Sequence, residues 1–62
     1  NDTEALEKAV IDVMTANEQS VVDYQAGKEN ALKFLMGQVM KETKGKANPQ
    51  MVQEMLKEKL SV

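Results

Sequence analysis

The stretch KETKGKANPQ, residues 41–50, decides the architecture. Gly45 is a residue that readily takes the left-handed conformation found just past helix ends, and Lys41 and Lys44 offset the negative end of a helix dipole. Three residues later, Asn48 and Pro49 form an N-cap and first-turn pair. A proline loses nothing there, because a helix start leaves that N–H unpaired anyway. One helix therefore stops and another starts within ten residues. Upstream, Leu32, Leu35 and Val39 form a stripe that predicts a third helix from Glu29 to Lys44. Downstream, Val52, Met55, Leu56 and Leu60 repeat the helical spacing. At the N-terminal end, Leu6, Val10, Val13 and Met14 predict a first helix over residues 3–16, with Asn1 and Glu4, or Asp2 alone, at its cap. Asn17 offers a fresh N-cap for a short second helix carrying Val21 and Tyr24, and Gly27 stops it. No segment alternates as a strand would. The chain reads as all-α, one small bundle of three to four short helices.

Composition excludes several functions. At 62 residues the chain supports one small domain, residues 1–62, and a chain of that size buries only about 60% of its unfolded surface. It has no histidine and no cysteine, which removes the common general base, the thiol nucleophile, disulfides and the usual zinc ligands. No catalytic residue and no metal ligand is expected. No apolar run approaches the roughly 18 residues of a membrane span, and the start lacks a signal-peptide pattern. A start at Asn1 reads as a piece of a longer protein, and the absence of cysteine fits a reducing compartment.

Charge is unevenly placed. Residues 1–27 carry Asp2, Glu4, Glu7, Asp12, Glu18 and Asp23 against Lys8 alone. Residues 28–46 reverse the sign, with Lys28, Lys33, Lys41, Lys44 and Lys46 against Glu29 and Glu42. The remainder is neutral, and the total is -2. A basic block in an acidic chain suits an anionic partner for one face, although five lysines are modest for a dedicated nucleic-acid binder.

Gly37 stands in the middle of the third helix, where glycine costs about 1 kcal/mol relative to alanine. At about 100° per residue, Lys33, Lys41 and Lys44 fall within about 40° of it, with the leucine–valine stripe opposite. Two explanations stand. The glycine admits a neighbouring helix at close range, or it leaves a bare backbone strip, flanked by lysines, that a phosphate chain approaches. Residues 41–50 divide in the same way. They end and start helices, or they set Lys46 and a flexible glycine beside the amides of a helix start, where phosphates bind well. Methionine raises a further choice. Met14 and Met55 sit on the stripes and are expected in the core, whereas Met36, Met40 and Met51 lie off the stripe centres and are expected to cover a partner surface.

Residues 24–60, YQAGKENALKFLMGQVMKETKGKANPQMVQEMLKEKL, resemble the C-terminal tail domain of the B subunit of the bacterial aspartyl/glutamyl-tRNA amidotransferases, a helical domain shared with the YqeY-like proteins. The similarity extends upstream through NEQSVVDY and is most specific in GQVMKETKGKANP, residues 37–49. Glu18 stands where the family often has proline, and Lys33 where it often has a small residue.

The resemblance implies that this chain is the tail of a longer subunit. The parent enzymes convert glutamate or aspartate mischarged on tRNA to the amide, using ATP, magnesium and glutamine-derived ammonia. Chemistry is expected in other domains, so no cofactor is expected here, and ATP and Mg belong to the parent. The resemblance makes the helical tail a grip on the outer corner of tRNA, with Lys33, Gly37, Lys41, Lys44, Gly45, Lys46 and Asn48 as contact residues. Expected partners are tRNA and, through the parent chain, the A and C subunits of the amidotransferase, with no DNA and no membrane, in the bacterial cytoplasm. Corner recognition rests on shape, phosphates and 2′-hydroxyls, which suits lysines in a chain with one Phe, one Tyr and no Trp. Two alternatives are a helical protein-interaction module, docking through outward methionines, and a stand-alone YqeY-like protein.

Overall fold

Val10, Leu35, Val39, Val52 and Leu56 have 0% of their surface exposed. They come from the first, third and fourth of the expected helices, so the stripes do face one another. The computed structural model describes residues 1–61. Its helices are α1 (Asp2–Ala16), α2 (Glu18–Gln25), α3 (Glu29–Glu42) and α4 (Pro49–Leu60), and no strand occurs among the described residues. α3 is the hub and packs against each of the other three helices. Leu6, Val13, Leu32 and Leu60 complete the buried cluster. Ala9 is buried as well, too small to mark a stripe by itself.

Local chemistry sets the boundaries. At α1 the Asn1 side chain accepts the Glu4 N–H at 2.9 Å, as a cap of that type should. Asn17 does not cap α2 as its residue type suggests: its Nδ2 donates to the Val13 carbonyl at 2.8 Å, and no side-chain cap bond forms at α2. The last carbonyls of α1 need a donor, and a one-residue break leaves Asn17 as the group placed to supply it. Gly27, at φ 103°, stops α2 as expected, with its N–H bonded to Tyr24 O at 2.9 Å and the Lys28 N–H to Asp23 O at 3.0 Å.

The end of α3 departs from the expected Lys44. The helix closes at Glu42, and Lys44 itself takes the left-handed conformation, φ 57°, followed by Gly45 at φ 76°. The Lys44 N–H bonds Lys41 O at 3.1 Å and the Gly45 N–H bonds Met40 O at 2.8 Å, the paired reverse bonds that seal a helix end. A lysine in the usual glycine position costs about 1–2 kcal/mol. Thr43 supports the turn, its hydroxyl donating to Val39 O at 2.9 Å. At α4, Asn48 Oδ1 accepts both the Gln50 and Met51 N–H groups, at 2.8 and 3.3 Å, with Pro49 in the first turn.

The methionines sort differently from the stripe pattern. Met36 and Met40 are partly buried against the core with Met14 and Met55, which leaves Met51 exposed at 44%. Because α3 is covered by three helices, its buried arc is wider than one stripe and takes in the flanking methionines.

Candidate nucleic-acid interface

The outward side of α3 is assembled by spacing. Leu32, Leu35 and Val39 are drawn into the core, which forces residues about 180° away on the helix outward. Asn30, Phe34, Gly37 and Lys41 recur at i, i+4, i+7 and i+11, lie along one line of the helix, and are all exposed, with Lys33 beside them. A Cβ built on Gly37 meets nothing within 4 Å. The close-packed-helix explanation of this glycine therefore falls, since the bundle puts no helix on that side.

Lys28, Lys33, Lys41, Lys44 and Lys46 are all exposed. Among the described residues the one lysine with a carboxylate within ion-pair reach is Lys59, 3.4 Å from Glu7 across α4 and α1. Among the described residues, none of these five lysines is held in an ion pair. Ion pairing therefore does not explain these lysines, although Lys41, in the last turn of α3, also offsets the helix dipole.

The seven expected contact residues fall in three places. Lys33, Gly37 and Lys41 share the outward side of α3. Lys44 leaves the helical arc expected for it, because its backbone is left-handed, and with Gly45 it forms the turn. Lys46 and Asn48 line a groove between the start of α1 and the α3–α4 connection, with Asp2, Asp12 and Met51 on its walls. Lys46 therefore stands in a mixed-charge setting, unlike the α3 lysines.

Most amides of this connection are occupied. The N–H groups of residues 44, 45 and 46 bond to Lys41, Met40 and Thr43 carbonyls, those of residues 50 and 51 to the Asn48 side chain, and that of Val52 to Asn48 O, while Pro49 has none. A phosphate at a helix N-terminus needs free N–H groups. The lysine ammonium groups, the Asn48 side-chain NH2 and the Ala47 and Asn48 N–H groups are what remain for an anion contact. Asn30 and Phe34 were outside the sequence-derived set. The signal for them was the i, i+4, i+7, i+11 spacing through Gly37.

This basic, outward α3 belongs to a chain that the GatB domain family matches over residues 1–60. The chain belongs to the GatB domain family. It is 57% identical over 61 residues to the second form of the aspartyl/glutamyl-tRNA(Asn/Gln) amidotransferase B subunit of Clostridium acetobutylicum, covering 98% of this chain and 13% of that protein. The corresponding B subunit of Herminiimonas arsenicoxydans shows the same identity and coverage, and that of Nitrosococcus oceani is 53% identical over 60 residues, 97% of this chain and 13% of the relative. This GatB domain thus spans about one-eighth of the length of the relatives it matches. No solved structure matches it. No helix among the described residues is long and apolar enough to cross a membrane.

Proposed function

We propose that this GatB domain is the tRNA-gripping tail of an amidotransferase B subunit, holding the outer corner of mischarged tRNA while other domains carry out ATP- and glutamine-dependent transamidation. The observation that carries the reading is the outward side of α3. Lys33 and Lys41, without ion-pair partners among the described residues, flank a glycine whose Cβ position is open space. Unpaired cations around accessible backbone suit a polyanion, and such contacts position nucleic acid without reading sequence. ATP and magnesium belong to the parent enzyme's other domains. Among the described residues no three acidic side chains converge in the way a metal site needs. The A and C subunits are reached through the parent chain, in the bacterial cytoplasm.

The protein-interaction alternative loses footing, because Met36 and Met40 cover the core rather than an outer surface. A stand-alone YqeY-like protein is disfavoured by the amidotransferase relatives, of which this sequence matches a segment.

The test uses the complete amidotransferase. Lys41, Lys44 and Lys46 are changed together to glutamate, and KM for tRNA is measured at low and physiological salt. KM should rise, and the salt dependence should flatten by roughly 0.7–0.9 in log–log slope for each phosphate that is no longer neutralised. The kcat at saturating tRNA and the tRNA-independent glutaminase activity should hold, since uniform binding alone is removed. A melting curve controls for the dipole energy lost at the end of α3. An unchanged KM at both salts in a folded variant would refute the grip. With a net charge of -2, the isolated domain should bind tRNA poorly.

A further inference from the structure

Phe34 is 47% exposed on the same outward line of α3 as Gly37 and Lys41. A lone exposed apolar side chain is ordinary. This one has a setting. It forms the wall of an open cavity of about 610 Å³ between the end of α2 and the start of α3, whose other walls include Ser20, Asp23, Lys28, Glu29 and Asn30. The chain's other aromatic, Tyr24, is partly buried against the core, so Phe34 supplies the ring at the surface.

Chemistry narrows the occupant. The wall carboxylates of Asp23 and Glu29 outnumber the one wall lysine, Lys28, which disfavours a phosphodiester inside the cavity. Asp23 is held by Gln19, whose Nε2 donates to Asp23 Oδ1 at 3.0 Å, leaving its other oxygen open to a donor. Ser20 and Asn30 add hydroxyl and amide groups, and Lys28, in the α2–α3 connection, completes the polar lining. An aromatic face, fixed acceptors and nearby lysines that suit a backbone outside are what an unpaired nucleobase requires. Sequence-tolerant stacking on an aromatic side chain is the usual way such a base is held.

We infer that the α2–α3 cavity receives one unpaired nucleobase of the bound RNA, stacked on Phe34 with its N–H donors toward Asp23, while Lys28, Lys33 and Lys41 follow the adjoining phosphates. The inference rests on the tRNA reading above and adds to it a base contact that the lysines do not supply. It also explains why Phe34 shares a line with Gly37. At about 1.5 Å per residue, Lys41 stands about 10 Å along the helix from the ring, with bare backbone between.

The experiment compares Phe34→Ala, Phe34→Leu and Phe34→Tyr in the complete amidotransferase, using a tRNA transcript as the probe. Affinity is read over a salt series and base accessibility by chemical footprinting. Ala and Leu should each weaken binding about 5- to 100-fold, the range for loss of one stacked base. The log–log salt slope should stay at the parent value, because every phosphate contact remains in place. Tyr should keep the parent affinity within about threefold, since it keeps the ring. One base protected by the parent should become reactive in the Ala variant. Leu binding as tightly as Phe would overturn the inference, as a stacked base needs the ring, and would leave a generic apolar contact such as a protein partner. No effect of any Phe34 variant, alongside a clear effect of the lysine reversal, overturns the base contact alone. If the lysine reversal is also silent, the tRNA reading falls with it.

Discussion

Gly37→Ala is expected to raise stability and lower function together. Gly37 lies within the 14-residue α3, its φ is not positive, and the added methyl meets no atom within 4 Å. With neither strain nor clash, alanine gains the propensity difference of about 1 kcal/mol, much of it from a less flexible unfolded chain. Unfolding entropy of about 2.1 cal/mol/K per residue means that 1 kcal/mol moves Tm by about 8 °C in a domain of this size. Circular dichroism melting of the 62-residue chain at fixed pH and salt reads the shift. The same methyl would stand between the α3 backbone and any phosphate chain laid on it. In the complete amidotransferase, tRNA affinity should therefore fall by about fivefold or more, the effect of about 1 kcal/mol of weakened packing. A lower Tm would mean that the space above Gly37 is not open. A higher Tm with unchanged tRNA affinity would refute the claim that the glycine is kept bare for a ligand.

Gly45→Ala should have the opposite sign for stability, a loss of about 1–2 kcal/mol in the same melting assay, because its φ of 76° disfavours any Cβ although the space around it is free. Asn48→Ala should cost about 0.5–2 kcal/mol, since its side chain satisfies two amides of α4, and an unchanged melting curve would remove that role. Leu35→Ala, at a position with no exposed surface in the hub helix, should cost about 2–5 kcal/mol and leave the domain largely unfolded at 37 °C; a cooperative melt within a few degrees of the parent would contradict the assigned core.

Helix identity was legible in the sequence because capping chemistry and hydrophobic spacing agree along the chain. Asn48 and Pro49 start α4 as the residue types predict, and Gly27 ends α2. The end of α3 was less legible. Gly45 is the obvious stop, yet the sealing bonds place Lys44 in the left-handed position and shorten the helix by two residues, a choice made by the geometry at Thr43 rather than by lysine's own preference. Asn17 has the side chain of an N-cap but serves the preceding helix, because a one-residue break exposes the carbonyls of α1 first. Met36 and Met40 could not be placed by periodicity, since periodicity describes one helix and their burial depends on how many neighbours surround α3.

The candidate site was legible in its charges but not in its geometry. The lysine block, Gly37 and the Asn48 cap are visible as sequence, whereas the bonds that occupy the amides of residues 44, 45 and 46 are visible only once the turn is folded. That occupation leaves few amides for an anion and shifts the weight to the lysines. Backbone amides hold an anion in a fixed geometry, while lysines on long, rotatable stems hold it through charge. Lysines spread over α3 and its flanking turns suit following a phosphate backbone better than holding a single small phosphate ligand. On the proposed function, selectivity for one RNA feature would come from groups with defined shape, and on the outward side of α3 those are the Phe34 ring, the Asn30 amide and the bare strip at Gly37. Charge would thus set the strength of the grip and its salt dependence, while these three residues would fix where along the RNA the grip settles.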